Sequence, residues 1–131
     1  MIDKTLVSRA FNKMLFEFLD EVIQIVPDNS DVKNTRLFLN MIQMANTSLI
    51  IKLWYTNLYE PYKGQVDNND LSFFIDKEYH EEANRLPNAS EVLQGIDNLR
   101  TPIRSMSKAN KDISMKYIQK LSKLSQLYND N

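Results

Sequence analysis

The sequence predicts an all-α fold, a bundle of about five to six helices in a single domain over residues 1–131, and three observations carry that prediction. Phe11, Leu15, Phe18, Val22 and Ile25 recur at steps of four, three, four and three, which lines them along one side of a helix. Two glycines and four prolines in the whole chain leave too few turns for a many-stranded sandwich or barrel. Near the other end, Ile113, Tyr117, Leu121, Leu124 and Tyr128 repeat at steps of four, four, three and four.

The first helix is expected to start near Asp3 or Thr5, either of which can accept hydrogen bonds from first-turn amides. Met14, Leu19 and Val26 widen its apolar side, so it suits the centre of the bundle, and Pro27 ends it. Asp28 or Ser30 is expected to cap a second helix reaching about Ala45. Val32, Leu39 and Ile42 mark its core stripe, with Leu37, Phe38, Met41 and Met44 beside it. So short a connection predicts antiparallel neighbours.

Asn46 or Thr47 can cap a third segment running to Glu60 and closed by Pro61. Its Ile50, Ile51, Trp54 and Tyr55 favour strands. Its length favours a helix, and no partner strand is evident. Residues Pro61 to Asp70 read as a loop. Asn69 or Asp70 then caps a short helix, LSFFIDKEY, that brings Phe73 and Phe74 to the core. HEEANRLP is ambiguous and ends at Pro87. Asn88 and Glu91 have capping-box spacing ahead of a fifth helix with Val92, Leu93, Ile96 and Leu99 inside. Gly95 lowers that helix's stability by about 1 kcal/mol relative to alanine. Pro102 kinks or ends it, and Ser105 or Ser107 caps the last helix, which reaches about Tyr128.

A chain of 131 residues can close one hydrophobic core without metals or disulfides. It has no cysteine, which removes disulfides, thiolate metal sites and thiol nucleophiles together and fits a reducing compartment. No apolar run approaches the roughly 20 residues of a membrane span, and the N-terminal stretch lacks the continuous apolar core of a signal peptide. The expectation is a soluble intracellular protein, not a secreted one. Asn46-Thr47-Ser48 and Asn88-Ala89-Ser90 match glycosylation sequons, but with no export signal they read as helix-start chemistry.

Formal net charge is -1, unevenly distributed. Residues 1–99 carry a balance of -6 and residues 100–131 a balance of +5. An acidic body beside a basic tail permits head-to-tail self-association.

General-base and acyl-transfer chemistry needs a histidine or thiol beside a nucleophile, and the chain offers only His80. His80-Glu81-Glu82 begins like the zinc motif H-E-x-x-H, but Asn84 stands where the second histidine belongs. Asp67, Asn69 and Glu78 fall at positions 1, 3 and 12 of a calcium loop. Leu71 and Ser72 replace a ligand and the turn glycine, so a solvated loop with a helix cap is the better reading. Asp76, Glu78, Glu81 and Glu82 read as a wetted acidic face. Gly64 and Gly95, 31 residues apart, cannot form a phosphate-binding loop. These exclusions predict a protein that is not an enzyme and uses no metal or cofactor.

Two candidate surfaces remain. Trp54, Tyr55, Tyr59 and Tyr62, close to Phe73 and Phe74, form the densest aromatic cluster and suit a core edge or a partner-binding face. Arg100, Arg104, Lys108, Lys111, Lys116, Lys120 and Lys123 make the C-terminal region a candidate contact for nucleic acid, anionic lipid or an acidic protein.

The spacing of FNKMLFEFLDEVIQIVPDNSDVK, LIIKLWYTNLYEPYKGQV, FFIDKEYHE and NKDISMKYIQKLSKLSQLY resembles a group of small proteins of large cytoplasmic DNA viruses, the phycodnavirus and mimivirus relatives. The matching features are Phe18, Pro27-Asp28, Pro61-Tyr62, Phe73-Phe74 and Tyr117 through Leu124. The group supplies no catalytic residues. The resemblance implies a viral context, with other viral proteins as partners and the virion or the infected cell's cytoplasm as location. It suits a minor capsid protein, an internal scaffold or an adaptor at the replication site.

Overall fold

The computed structural model describes residues 2–76 and 88–131, and among them every regular element is helical. Expectations that fall on Lys77 to Pro87, including those for Glu78, His80, Glu81 and Glu82, lie outside the described residues.

α1 (Lys4–Ile25) starts at Asp3, whose Oδ1 accepts from the amides of Thr5 at 2.9 Å and Leu6 at 3.4 Å. Phe11, Leu15, Phe18, Leu19 and Val22 are buried, as their spacing predicts, while Ile25 and Val26 are half-buried where the helix leaves the core before Pro27. α2 (Ser30–Ala45) follows as an antiparallel neighbour, capped by Asn29 rather than Asp28 or Ser30 because the Asn29 side chain accepts from Val32. Val32, Leu39 and Ile42 face the core. Leu37, Met41 and Met44, expected alongside them, point to the opposite side and are largely exposed.

The third segment is helical, and it does not stop at Pro61. α3 (Leu49–Trp54) runs into a π turn (Tyr55–Tyr59), a 3-10 turn (Glu60–Tyr62) and α4 (Lys63–Asp67). Pro61 has no amide to donate, so the hydrogen-bond register changes there. The amide of Glu60 reaches back five residues to Tyr55, and Pro61 sits in the first turn of the 3-10 stretch, where no donor is required. The expected loop thus shrinks to a turn at residues 68–71. Asn69 adopts a positive φ of 62°, and Asp70 accepts from the Ser72 amide at 3.0 Å to open α5 (Ser72–Asp76). Phe73 and Phe74 enter the core as expected.

α6 (Ala89–Asp97) brings Val92, Leu93 and Ile96 inside. Its capping box does not form: Asn88 takes a left-handed φ of 66°, which aims its side chain away from the free amides. The helix ends at Asp97, and Pro102 falls in the first turn of α7 (Arg100–Arg104), where a missing amide costs nothing. Ser107 caps α8 (Lys108–Asn129) by accepting from Asn110 at 3.2 Å.

α8 lies antiparallel along α1, the most extensive helix pairing among the described residues. The Lys4 ammonium sits 4.4 Å above the Tyr128 ring, and Phe18 stacks on Tyr117 at 5.2 Å. The buried face of α8 is displaced from the expected stripe, since Ile113 is 46% exposed whereas Ser114, Ser122 and Ser125 are buried beside Met115, Ile118 and Leu121. The Ser125 hydroxyl is satisfied within α8 by donating to the Ser122 carbonyl at 2.6 Å.

Candidate protein-interaction surface

The aromatic cluster faces inward. Trp54 is fully buried, its ring edge-on to Phe11 with centroids 5.7 Å apart, and its indole N–H donates to Ser122 Oγ at 3.0 Å. Tyr59 is also fully buried. These two residues are core, so of the aromatic partner-binding candidates only the half-buried Tyr55 and Tyr62 reach the surface, and Tyr62 stacks on Phe73 at 5.6 Å.

The π turn swings the Tyr59 hydroxyl to the junction of α4 and α8. It accepts from Lys123 Nζ at 3.2 Å and lies 3.3 Å from both Asp67 Oδ1 and Gln126 Oε1; one proton serves one acceptor at a time, and charge favours Asp67. Lys123 also pairs with Asp67 at 3.2 Å. The Tyr59 hydroxyl, then Asp67, hold the Lys123 ammonium above its ordinary 10.5. A cation stabilised by folding contributes fully below 10.5 and loses that contribution as pH rises through its raised value. Wild-type thermal stability is therefore expected to fall more steeply above pH 10.5 than that of Lys123→Met, and parallel curves would refute the coupling.

The basic residues are not one surface. Arg104 donates to the Ile75 carbonyl at 2.7 Å and faces Asp76 at 3.7 Å, joining α7 to α5. Lys108 pairs with Asp112 at 3.3 Å, Lys123 is held as described, and Arg100 is half-buried. Lys111, Lys116 and Lys120 carry no ion pair among the described residues. The calcium-loop candidates have structural uses instead: Asp67 faces Lys123, and Asn69 accepts from Gln119 at 2.8 Å. No metal-holding cluster of acidic or histidine side chains occurs among the described residues.

The surface that stands out lies on α2. Leu37, Met41 and Met44 are 64%, 68% and 77% exposed. At i, i+4 and i+7 they form one outward stripe, diametrically opposite the helix's core stripe. The sequence from Leu37 to Ile51 contains no charged residue, and that gap in charge is the feature of the sequence that marks this surface. Beside the stripe, α2 and α6 enclose an open groove of about 460 Å3, lined by Asn34, Phe38, Glu91, Gln94, Gly95 and Asn98 among others. Asn98 donates to Thr35 at 3.1 Å and accepts from Gln94 at 3.2 Å, fixing the polar wall of the groove. Gly95 forms its floor, because a side chain there would meet Thr35 Cγ2 at 3.2 Å. No helix among the described residues is long and apolar enough to cross a membrane. Comparison of the chain with protein-family models, curated proteins and solved structures finds no match.

Proposed function

We propose that this chain is a non-enzymatic helical interaction protein that receives the apolar face of a helix from another protein across α2 and α6. The observation that carries the proposal is the charge-free stripe of Leu37, Met41 and Met44 beside a preformed groove. These side chains add nothing to the protein's own core, and unbranched methionines repack readily against a partner. Asn34, Glu91, Gln94 and Asn98 supply the polar rim that such a docking site needs.

A photo-crosslinking residue at position 41 should trap a defined protein, which is then purified and titrated. Leu37→Asp combined with Met44→Asp should weaken that binary complex at least about tenfold, while leaving unfolding free energy within about 0.5 kcal/mol of wild type. Unchanged affinity rejects the proposal. In the viral context that the sequence resemblance implies, the protein is a virion or assembly component, and its absence from purified particles by mass spectrometry rejects that setting.

A second reading, nucleic-acid contact through the C-terminal region, is supported by the hollow of about 540 Å3 that Lys108, Lys111 and Lys116 line with Asn69, Leu71, Asp112 and Met115. It requires binding that falls steeply with salt, and a filter titration without retention at low salt removes it.

A further inference from the structure

A second apolar groove, separate from α2, lies on the α1–α8 pair. Met14, Leu124 and Leu127 form the floor of a shallow groove of about 410 Å3, with Gln119, Lys120 and Lys123 on its rim. Leu127 is 36% exposed, and Leu6, about two turns before Met14, is 61% exposed, so apolar surface continues toward the N-terminal end of α1. Antiparallel packing sets Leu6 level with Leu127, as the Lys4–Tyr128 contact shows.

The charge around this floor has one dominant sign. Lys116, Lys120 and Lys123 recur at steps of four and three on the exposed side of α8, and exposed Lys13 adjoins Met14 on α1. Only Lys123 among the four is matched by an acid within the described residues, namely Asp67. Acidic residues close one end of the groove: Glu21 and Glu17, after burial itself, push the hydroxyl of Tyr117, which lies between Lys116 and Lys120 in the chain, above its ordinary value, so the unmatched positive charge on the rim is that of Lys120. An apolar trough rimmed by Lys120 and Lys123, with exposed Lys13 beside it, is complementary to an amphipathic helix with acidic flanks. The concave floor disfavours a flat lipid surface, and its apolar side chains match the apolar face of a helix rather than a phosphate backbone.

We propose that the α1–α8 groove binds an acidic amphipathic helix, its leucine-type residues on Met14, Leu124 and Leu127 and its carboxylates on Lys120 of the rim and the flanking Lys13. The probe is a fluorescein-labelled peptide of about 18 residues, long enough for five turns, with leucines at i, i+4, i+7 and i+11 and glutamates on both flanks. It is titrated by anisotropy against the full chain, alongside a scrambled peptide of equal composition and phosphatidylserine vesicles.

The intact chain should bind the amphipathic peptide, with affinity falling as salt rises. Leu127→Glu, and separately Lys13→Glu with Lys120→Glu, should each raise Kd at least about tenfold, with unchanged circular dichroism. Met41→Glu should leave Kd unchanged, which separates this site from the α2 surface. Failure to bind at about 100 µM peptide, weaker than any affinity a specific groove needs, overturns the proposal. So does equal binding of the scrambled peptide, insensitivity to the variants, or a preference for vesicles.

Discussion

Replacing Trp54 with alanine is expected to remove about 3–5 kcal/mol of unfolding free energy, a large share of the roughly 5–15 kcal/mol that holds a domain together. Trp54 is the chain's only tryptophan and joins three helices. Its ring packs edge-on against Phe11 of α1, its backbone belongs to α3, and its indole N–H is bound to Ser122 of α8. Alanine leaves a cavity at that junction which α1 and α8, packed along their whole length, cannot both close. Urea unfolding followed by circular dichroism measures the loss. Ser122→Ala strands the buried indole donor and should cost about 1–3 kcal/mol. Because the two side chains touch, the double variant should cost less than the sum of the single ones. A Trp54→Ala loss below about 1 kcal/mol, the scale of an ordinary surface change, would mean that the tryptophan is not at this junction.

Gly95→Leu should cost about 1–3 kcal/mol through overpacking, and it should also fill the α2–α6 groove and weaken partner capture there. A first side-chain carbon at residue 95 already falls 3.2 Å from Thr35 Cγ2, so Thr35 must give by a few tenths of an ångström, and the further carbons crowd the α2–α6 groove. Thr35 is fixed by the hydrogen bond from Asn98 and has little room to yield. Gly95→Ala tests the same contact more gently. Helix propensity alone predicts a gain of about 1 kcal/mol; the close contact should cancel most of it. A full gain in chemical denaturation would show that Thr35 moves aside without cost.

The parts of this fold that were legible in the sequence are those where apolar periodicity and burial coincide. The Phe11 to Val22 stripe on α1 and the Val92 to Ile96 stripe on α6, with Leu99 just beyond it, lie where their spacing puts them. On α8 the buried face departs from the apolar pattern because Ser114, Ser122 and Ser125 count as polar, yet each hydroxyl finds a partner inside: Ser125 donates to the Ser122 carbonyl, Ser122 accepts from Trp54, and Ser114 donates to Met106 Sδ. On α2 the fault ran the other way, since Leu37, Met41 and Met44 are apolar and were assigned beside the core, and only the core's position reveals that they face outward.

Punctuation residues misled where backbone geometry offered an unforeseen way around them. Pro61 reads as a stop, but a preceding π turn and a following 3-10 turn absorb its missing donor. Asn88 has the residue type and spacing of a cap, and its positive φ prevents it from serving. The candidate surfaces were mixed in the same way. The exposed lysines of α8 follow from helical spacing, whereas the inward turn of Trp54 and Tyr59 depends on contacts with residues more than sixty positions away, such as Ser122 and Lys123.

The widened turn at Tyr55–Tyr59 also marks where the chain can be shortened. It stores a surplus residue in a bulge, so excising Thr56 should let the rod wind regularly while Val66 keeps its place inside. The same excision within α1 would rotate everything beyond it by about 100° and carry half the stripe into water. Length variation among any natural variants of this chain should therefore gather at that bulge and avoid the long helices.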